Sequence, residues 1–167
     1  EASKTPLLIG VDEEGGTVNR LSRYPAFRDT PFLSPQALYR QGGFDLIEAD
    51  TSEKADLLLD LGINVNLAPV CDVSTDRNDF IYRRSFGKDG LETGKYVESL
   101  VNIMNSKGIG ASLKHFPGYG NNIDTHTEIA IDERPYESFL ENDFLPFEAG
   151  IKAGAGSVLV SHNIVTS

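Results

Sequence analysis

Apolar residues fall along this chain in two alternating textures. Four short runs, PLLIGVD (6–12), GINVNLAPVCDV (62–73), GIGASLKHF (108–116) and GSVLVSHNIV (156–165), are rich in β-formers or small residues and open on glycine or proline. They read as buried strands. Between them the apolar residues recur at helical spacing. Ala55, Leu58, Leu59 and Leu61 share one face of 44–61, and Tyr96, Val97, Leu100, Val101 and Met104 share one face of 91–107. Phe139, Leu140, Phe144, Phe147 and Ile151 do the same in 136–153, where Pro146 is expected to kink or restart the helix. Ser34-Pro35 has N-cap and first-turn chemistry and opens a further short helix.

The order is β-α-β-α-β-α-β, with strands apolar on both faces. That pattern predicts an α/β fold with a parallel sheet and right-handed crossovers. The surplus residues follow the strands, in 12–43, 71–90 and 115–135, and hold the glycines, asparagines and paired charges. In a (β/α) barrel the loops after the strands form the active face. About four parallel strands make half of an eight-stranded barrel. The expectation is therefore a partial TIM-type barrel, its second to fifth βα units, as one domain over 1–167. No interdomain linker, low-complexity tract or short repeat interrupts it.

Composition narrows the function. The chain has 167 residues, 40% apolar and 24% charged, as a globular domain does. Asp and Glu outnumber Lys and Arg by 25 to 15, for a formal charge of −10. With no basic cluster, nucleic acid is excluded as a partner. The lone cysteine, Cys71, permits no intrachain disulfide and reads as a buried, inert thiol. No run approaches the length of a membrane span. The compartment stays open between the bacterial cytoplasm and the secreted or cell-surface space.

Four motifs fall at the predicted strand ends. DEEGGTVNR (12–20) puts Asp12 at the end of one, with Gly15-Gly16 allowing a tight turn or a close backbone approach. Alone it equally describes an ordinary acidic turn. RRSFGKDG (83–90) offers Arg84 as a forked clamp on oxygen atoms or as a plain surface arginine. KHFPGYGNNIDTH (114–126) ends a strand with Lys114 and His115, breaks, and then places Asp124 two residues before His126. A carboxylate beside an imidazole makes a proton carrier suited to neutral pH, and a structural histidine in a turn is the other reading. SHNI (161–164) carries His162. The histidines at 115, 126 and 162 lack the close ligand spacing of zinc sites, so no metal is expected, and no phosphate loop or serine elbow is present.

Taken together, DEEGG, NLAPVCDV, RRSFG, KHFPGYG, DTH and SVLVSH resemble the N-terminal catalytic domain of glycoside hydrolase family 3, in its β-N-acetylhexosaminidase branch. The resemblance runs from about Leu7 to His162. It implies a retaining, exo-acting glycosidase that removes terminal β-linked N-acetylglucosamine in carbohydrate or cell-wall metabolism, without a cofactor. It implies Asp12, Arg20, Arg84, Lys114 and His115 as substrate contacts, and His126 with Asp124 as the acid/base dyad. A histidine backed by an aspartate can donate and then recover the proton, as a retaining enzyme requires. The sequence departs from the pattern at Tyr119-Gly120, where the family has His-Gly, and at Glu13, where it has Gln. The family's nucleophilic aspartate lies beyond the serine-histidine motif and has no counterpart in this chain. The expectation is a barrel truncated at both ends and inactive alone. Two other readings stand: a β-glucosidase or xylosidase of the same family, against which the Asp-x-His loop argues, and a non-catalytic sugar-binding or assembly module pairing with a second copy through two open sheet edges.

Overall fold

The computed structural model describes residues 4–124 and 129–166. A four-stranded parallel sheet runs in the order β1 (Gly10–Val11), β4 (Val65–Asn66), β5 (Gly110–Phe116), β7 (Ser157–Val160). Helices α1 (Pro35–Asp60), α2 (Gly90–Lys107) and α4 (Phe144–Lys152) link the strands in turn. This is the expected βα alternation. The sheet is open rather than closed into a barrel. Two small pairings sit beside it: an antiparallel ribbon of β2 (Glu13–Gly15) and β3 (Val18–Asn19), and a parallel pair of β6 (Ile131–Asp132) and β8 (Ile164–Val165).

The first two sheet strands are much shorter than the apolar runs that predict them. Asparagine side chains replace the backbone rungs on either side of the two-residue ladder. Asn64 Oδ1 accepts from the Ile9 amide (2.7 Å), and Asn64 Nδ2 donates to the Leu7 carbonyl (2.8 Å). Asn66 does the same for Glu13, accepting from its N–H (3.0 Å) and donating to its C=O (2.9 Å). The chain beyond, through Ala68, Pro69 and Val70, continues alongside β5 by single bonds and one isolated bridge. The run predicted over 156–165 is likewise split, into β7 and β8.

Ser34 caps α1 by accepting from the Ala37 amide, with Pro35 next. The helix does not stop short there. It kinks at Gly42 and Gly43, the latter at φ +63°, and continues to Asp60. The short helix expected to open at Ser34-Pro35 is therefore joined, across the glycine kink, to the helix predicted over 44–61. Asp89 caps α2 through the Glu92 amide, and Gly108 ends it at φ +83°. The stretch 136–152 passes from α3 (Tyr136–Ser138) through a π turn (Phe139–Asp143) into α4. The wider turn lies just ahead of Pro146, whose missing N–H and bulky ring favour such an irregularity over a straight helix.

The core lies between sheet and helices. Leu58, Val97, Val101, Ile109, Leu113 and Phe147 are buried there, with Phe86 stacked on Tyr96 at 4.7 Å. The helical faces are narrower than their periodicity suggests. Leu61, Leu140 and Ile151 are exposed, Leu61 because it is the C-cap of α1.

Candidate active site

Five of the seven expected site residues come together. Asp12, Arg20, Arg84, Lys114 and His115 line one hollow of about 480 Å³, with Tyr119 and His162 on its wall. Asp124 is half-buried and is not among the lining side chains. His126 lies outside the described residues.

Each lining residue is placed by a local device. Asp12 lies between β1 and the turn of the β2–β3 ribbon. Gly15 and Gly16 take φ of +101° and +66° there. A Cβ on Gly15 would stand 2.2 Å from the Leu33 carbonyl oxygen, so only glycine fits. Glu13, fully buried, organises the next segment. Its carboxylate accepts from the amides of Arg20 (2.7 Å), Leu21 (2.8 Å) and Ser22 (3.1 Å), and from the Ser22 hydroxyl. Arg84 lies between the buried anchors Ile81 and Phe86, and Gln36 of α1 ties that turn down through the Tyr82 carbonyl (2.7 Å).

Lys114 and His115 do not end their strand; β5 continues to Phe116. Successive strand side chains ordinarily face opposite ways. Here the register with β7 slips between Lys114 and Phe116, leaving residue 115 as the extra one. Such a bulge re-aims a side chain, and both Lys114 and His115 reach the hollow. The Lys114–His115 peptide is cis.

Behind the lining lies a layer of carboxylates. Lys114 Nζ is 2.6 Å from Asp12 Oδ1 and 2.5 Å from Glu14 Oε1. Glu14 also takes Arg84 in a forked contact, Nε at 3.0 Å and Nη2 at 2.8 Å. Burial alone would lower the Arg84 pKa, but pairing with Glu14 outweighs it and the net shift is upward. The same guanidinium approaches His115 Nε2 at 3.2 Å, and His115 Nδ1 lies 2.7 Å from Asp72 Oδ2. Tyr119 stands edge-on to the His115 ring at 5.2 Å. Beneath, the Cys71 thiol is pushed well up in pKa by burial and by the charge of Asp72.

Glu14 and Asp72 were not singled out from the sequence. Glu14 sits inside the DEEGG motif, and Asp72 ends an apolar run as Asp12 does, which was the available signal. The charges balance locally. Asp12 and Glu14 offset Lys114 and Arg84, so the hollow is dense in donors and acceptors without a large net field. That chemistry suits a neutral polyhydroxyl ligand, whose groups both donate and accept. Among the described residues, no group of three or more His, Cys, Asp or Glu is arranged to hold a metal, and no helix is long and apolar enough to cross a membrane.

The model of the glycosyl hydrolase family 3 N-terminal domain matches residues 1–167. A curated relative, "Beta-hexosaminidase" of Xanthomonas campestris pv. campestris (strain B100), is 37% identical over 96% of this chain and 49% of its own length. The chain thus spans about half the length of the curated relatives it matches. Among solved structures, a glycoside hydrolase family 3 beta-N-acetylglucosaminidase from Paenibacillus sp. str. FPU-7 superposes with a TM-score of 0.85. It is 27% identical, covering 96% of this chain and 30% of that one. Beta-N-acetylhexosaminidase from Beutenbergia cavernae DSM 12333 gives 0.81 at 28% identity, covering 96% and 48%.

Proposed function

The chain belongs to glycosyl hydrolase family 3, and from that premise we propose that its hollow is the sugar-binding wall of a retaining, exo-acting β-N-acetylhexosaminidase. The substrate is a terminal β-linked N-acetylglucosamine on an oligosaccharide of cell-wall or chitin origin. The observation that carries this reading is the convergence of Asp12, Arg20, Arg84, Lys114 and His115 on one cavity. Lys114 and Asp12 hold adjacent hydroxyls, and Arg84, Arg20 and His115 hold the remaining oxygens. His126, oriented by Asp124, gives its proton to the leaving oxygen as the anomeric carbon passes from that oxygen to the enzyme's nucleophile, then takes a proton from the water that displaces the nucleophile and frees the sugar. No residue of this chain is assigned as the nucleophile.

The sheet edges support a further part of the reading, self-association by strand pairing. Leu8, just before β1, is 86% exposed and Val160 of β7 is 64% exposed. Sedimentation as a clean monomer at high concentration would count against it.

The main test is hydrolysis of chromogenic N-acetylglucosaminide against the matching glucoside by the full-length protein and by its Lys114→Ala and His126→Ala variants; residues 1–167 alone, with no nucleophile assigned, are expected to turn over neither. The expected result is preference for the N-acetylglucosaminide, with loss of about two orders of magnitude or more in kcat/KM for either variant. Preference for the glucoside, or full activity in His126→Ala, overturns the assignment.

A further inference from the structure

Asp72 is fully buried, yet among the described residues its only ion-pair partner is a histidine. Its two oxygens take three N–H groups. Oδ2 accepts from the His115 backbone amide (3.0 Å) and meets His115 Nδ1 (2.7 Å); Oδ1 accepts from the Tyr119 amide (2.8 Å). An ionised carboxylate only accepts, so Nδ1 must carry a hydrogen. The other ring nitrogen, Nε2, stands 3.2 Å from Arg84 Nη2. A guanidinium only donates, so Nε2 must be bare and accepting. Two contacts on opposite sides of the ring thus call for one tautomer.

The consequence runs outward. Arg84 gives Nε and one Nη2 hydrogen to Glu14 and the other Nη2 hydrogen to His115. Both edges of the guanidinium fork are thereby fixed, and the Nη1 hydrogens remain to meet a ligand in the hollow that Arg84 lines. The geometry points to Asp72 as a positioning residue for this site. It holds His115 in the Nδ1–H tautomer, whose Nε2 in turn holds Arg84, and it anchors Tyr119 in the same act. Asp72 touches no ligand itself.

Replacing Asp72 by asparagine breaks the arrangement in a defined way. Asparagine keeps the shape but exchanges one acceptor oxygen for a donor NH2. If the NH2 faces His115, Nδ1 must accept, and an Nε2–H is then aimed at the Arg84 N–H. If it faces Tyr119, that buried amide loses its acceptor. The ligand identity rests on the proposed sugar-binding function; the tautomer does not.

The experiment is 15N NMR of the His115 ring in the unliganded protein and in Asp72→Asn, followed by titration with N-acetylglucosamine. Arg84→Lys and the Asp72→Asn/Arg84→Lys double variant are titrated alongside. The wild type is expected to show Nδ1–H with bare Nε2. Asp72→Asn is expected to lose that signature and bind at least about tenfold more weakly, with effects of the two substitutions that do not add because both act through one guanidinium. An Nε2–H tautomer in the wild type, unchanged affinity in Asp72→Asn, or strictly additive losses would each overturn the assignment. If the tautomer behaves as stated but the wild type binds no N-acetylglucosamine, the sugar reading falls and the positioning role stands. Failure of Asp72→Asn to fold leaves the wild-type ring spectrum to decide.

Discussion

Replacing Glu14 by glutamine probes the carboxylate layer where the charges are most tightly packed. The Glu14 side chain is 4% exposed, with Lys114 Nζ at 2.5 Å and Arg84 Nη2 at 2.8 Å. At such separations one pair attracts by roughly 6 kcal/mol at an effective dielectric of about 20, and desolvation offsets most of that. What matters is the asymmetry: removing one partner leaves the other buried and unmatched, which typically costs about 3–5 kcal/mol. Two cations are stranded here, but each keeps something. Lys114 retains Asp12 at 2.6 Å, and Arg84 retains His115 and some solvent contact at 16% side-chain exposure. The expected loss therefore sits at the low end, about 3 kcal/mol. For a chain of this size that lowers Tm by about 6–12 °C. Urea unfolding followed by circular dichroism should show a lower midpoint with an unchanged slope. The double variant Glu14→Gln/Arg84→Met should recover part of the loss, because one unmatched cation is gone. A loss under about 1 kcal/mol in Glu14→Gln, or a double variant weaker than the two single losses summed, would refute the claim that Glu14 holds both cations.

Gly150→Ala, although it raises helix propensity in α4, should destabilise by about 1–3 kcal/mol in the same unfolding assay, because the new Cβ would lie 2.6 Å from Leu113 Cδ2 and 2.9 Å from Val97 Cγ1. Arg134→Met should cost about 3 kcal/mol at neutral pH, since Arg134 clamps the buried Asp132 (2.8 Å) and Asp143 (2.9 Å). Burial alone would raise the Asp132 pKa, but the Arg134 bonds outweigh it and hold it below the usual carboxylate range, so its stabilisation is present above that range and lost on acidification. Burial raises the Asp143 pKa despite Arg134, so its contribution has the opposite sign and is lost as pH rises. Without the guanidinium both folded pKa values rise, and the gap between wild type and variant, read from Tm against pH, should shrink as pH falls through the carboxylate range; a gap that widens would contradict the clamp.

How much of this was legible beforehand follows from the range over which each feature is decided. The βα alternation is local: apolar runs and helical repeats are written within a few residues, and the four-stranded parallel sheet follows from them. Strand length is not local. It depends on Asn64 and Asn66 reaching across to residues more than fifty positions away, Leu7 and Ile9 in one case and Glu13 in the other. An apolar run cannot show that its neighbours' side chains will take over the rungs. Helix faces behave similarly, since Leu61 fits the periodic stripe of α1 but falls on its C-cap and is exposed.

The candidate site divides along the same line. Its outer layer could be named because Asp12, Arg84, Lys114 and His115 stand in compact motifs that together resemble a known family, although each motif alone also reads as an ordinary turn or surface group. Its inner layer could not, because Glu14 meets Arg84 across 70 residues and Asp72 meets His115 across 43. In sequence each is one acid among 25. The sheet gives them meaning: register brings β5 beside residues 66–71, and the bulge at 115 turns a histidine toward a carboxylate that would otherwise pass behind it. A residue that touches the ligand can be found from the ligand's chemistry. A residue that orients it is visible only once the backbone decides which charges are neighbours, and so the buried acids Glu14 and Asp72, rather than the basic groups that line the hollow, are where substitutions in this fold should separate binding from stability.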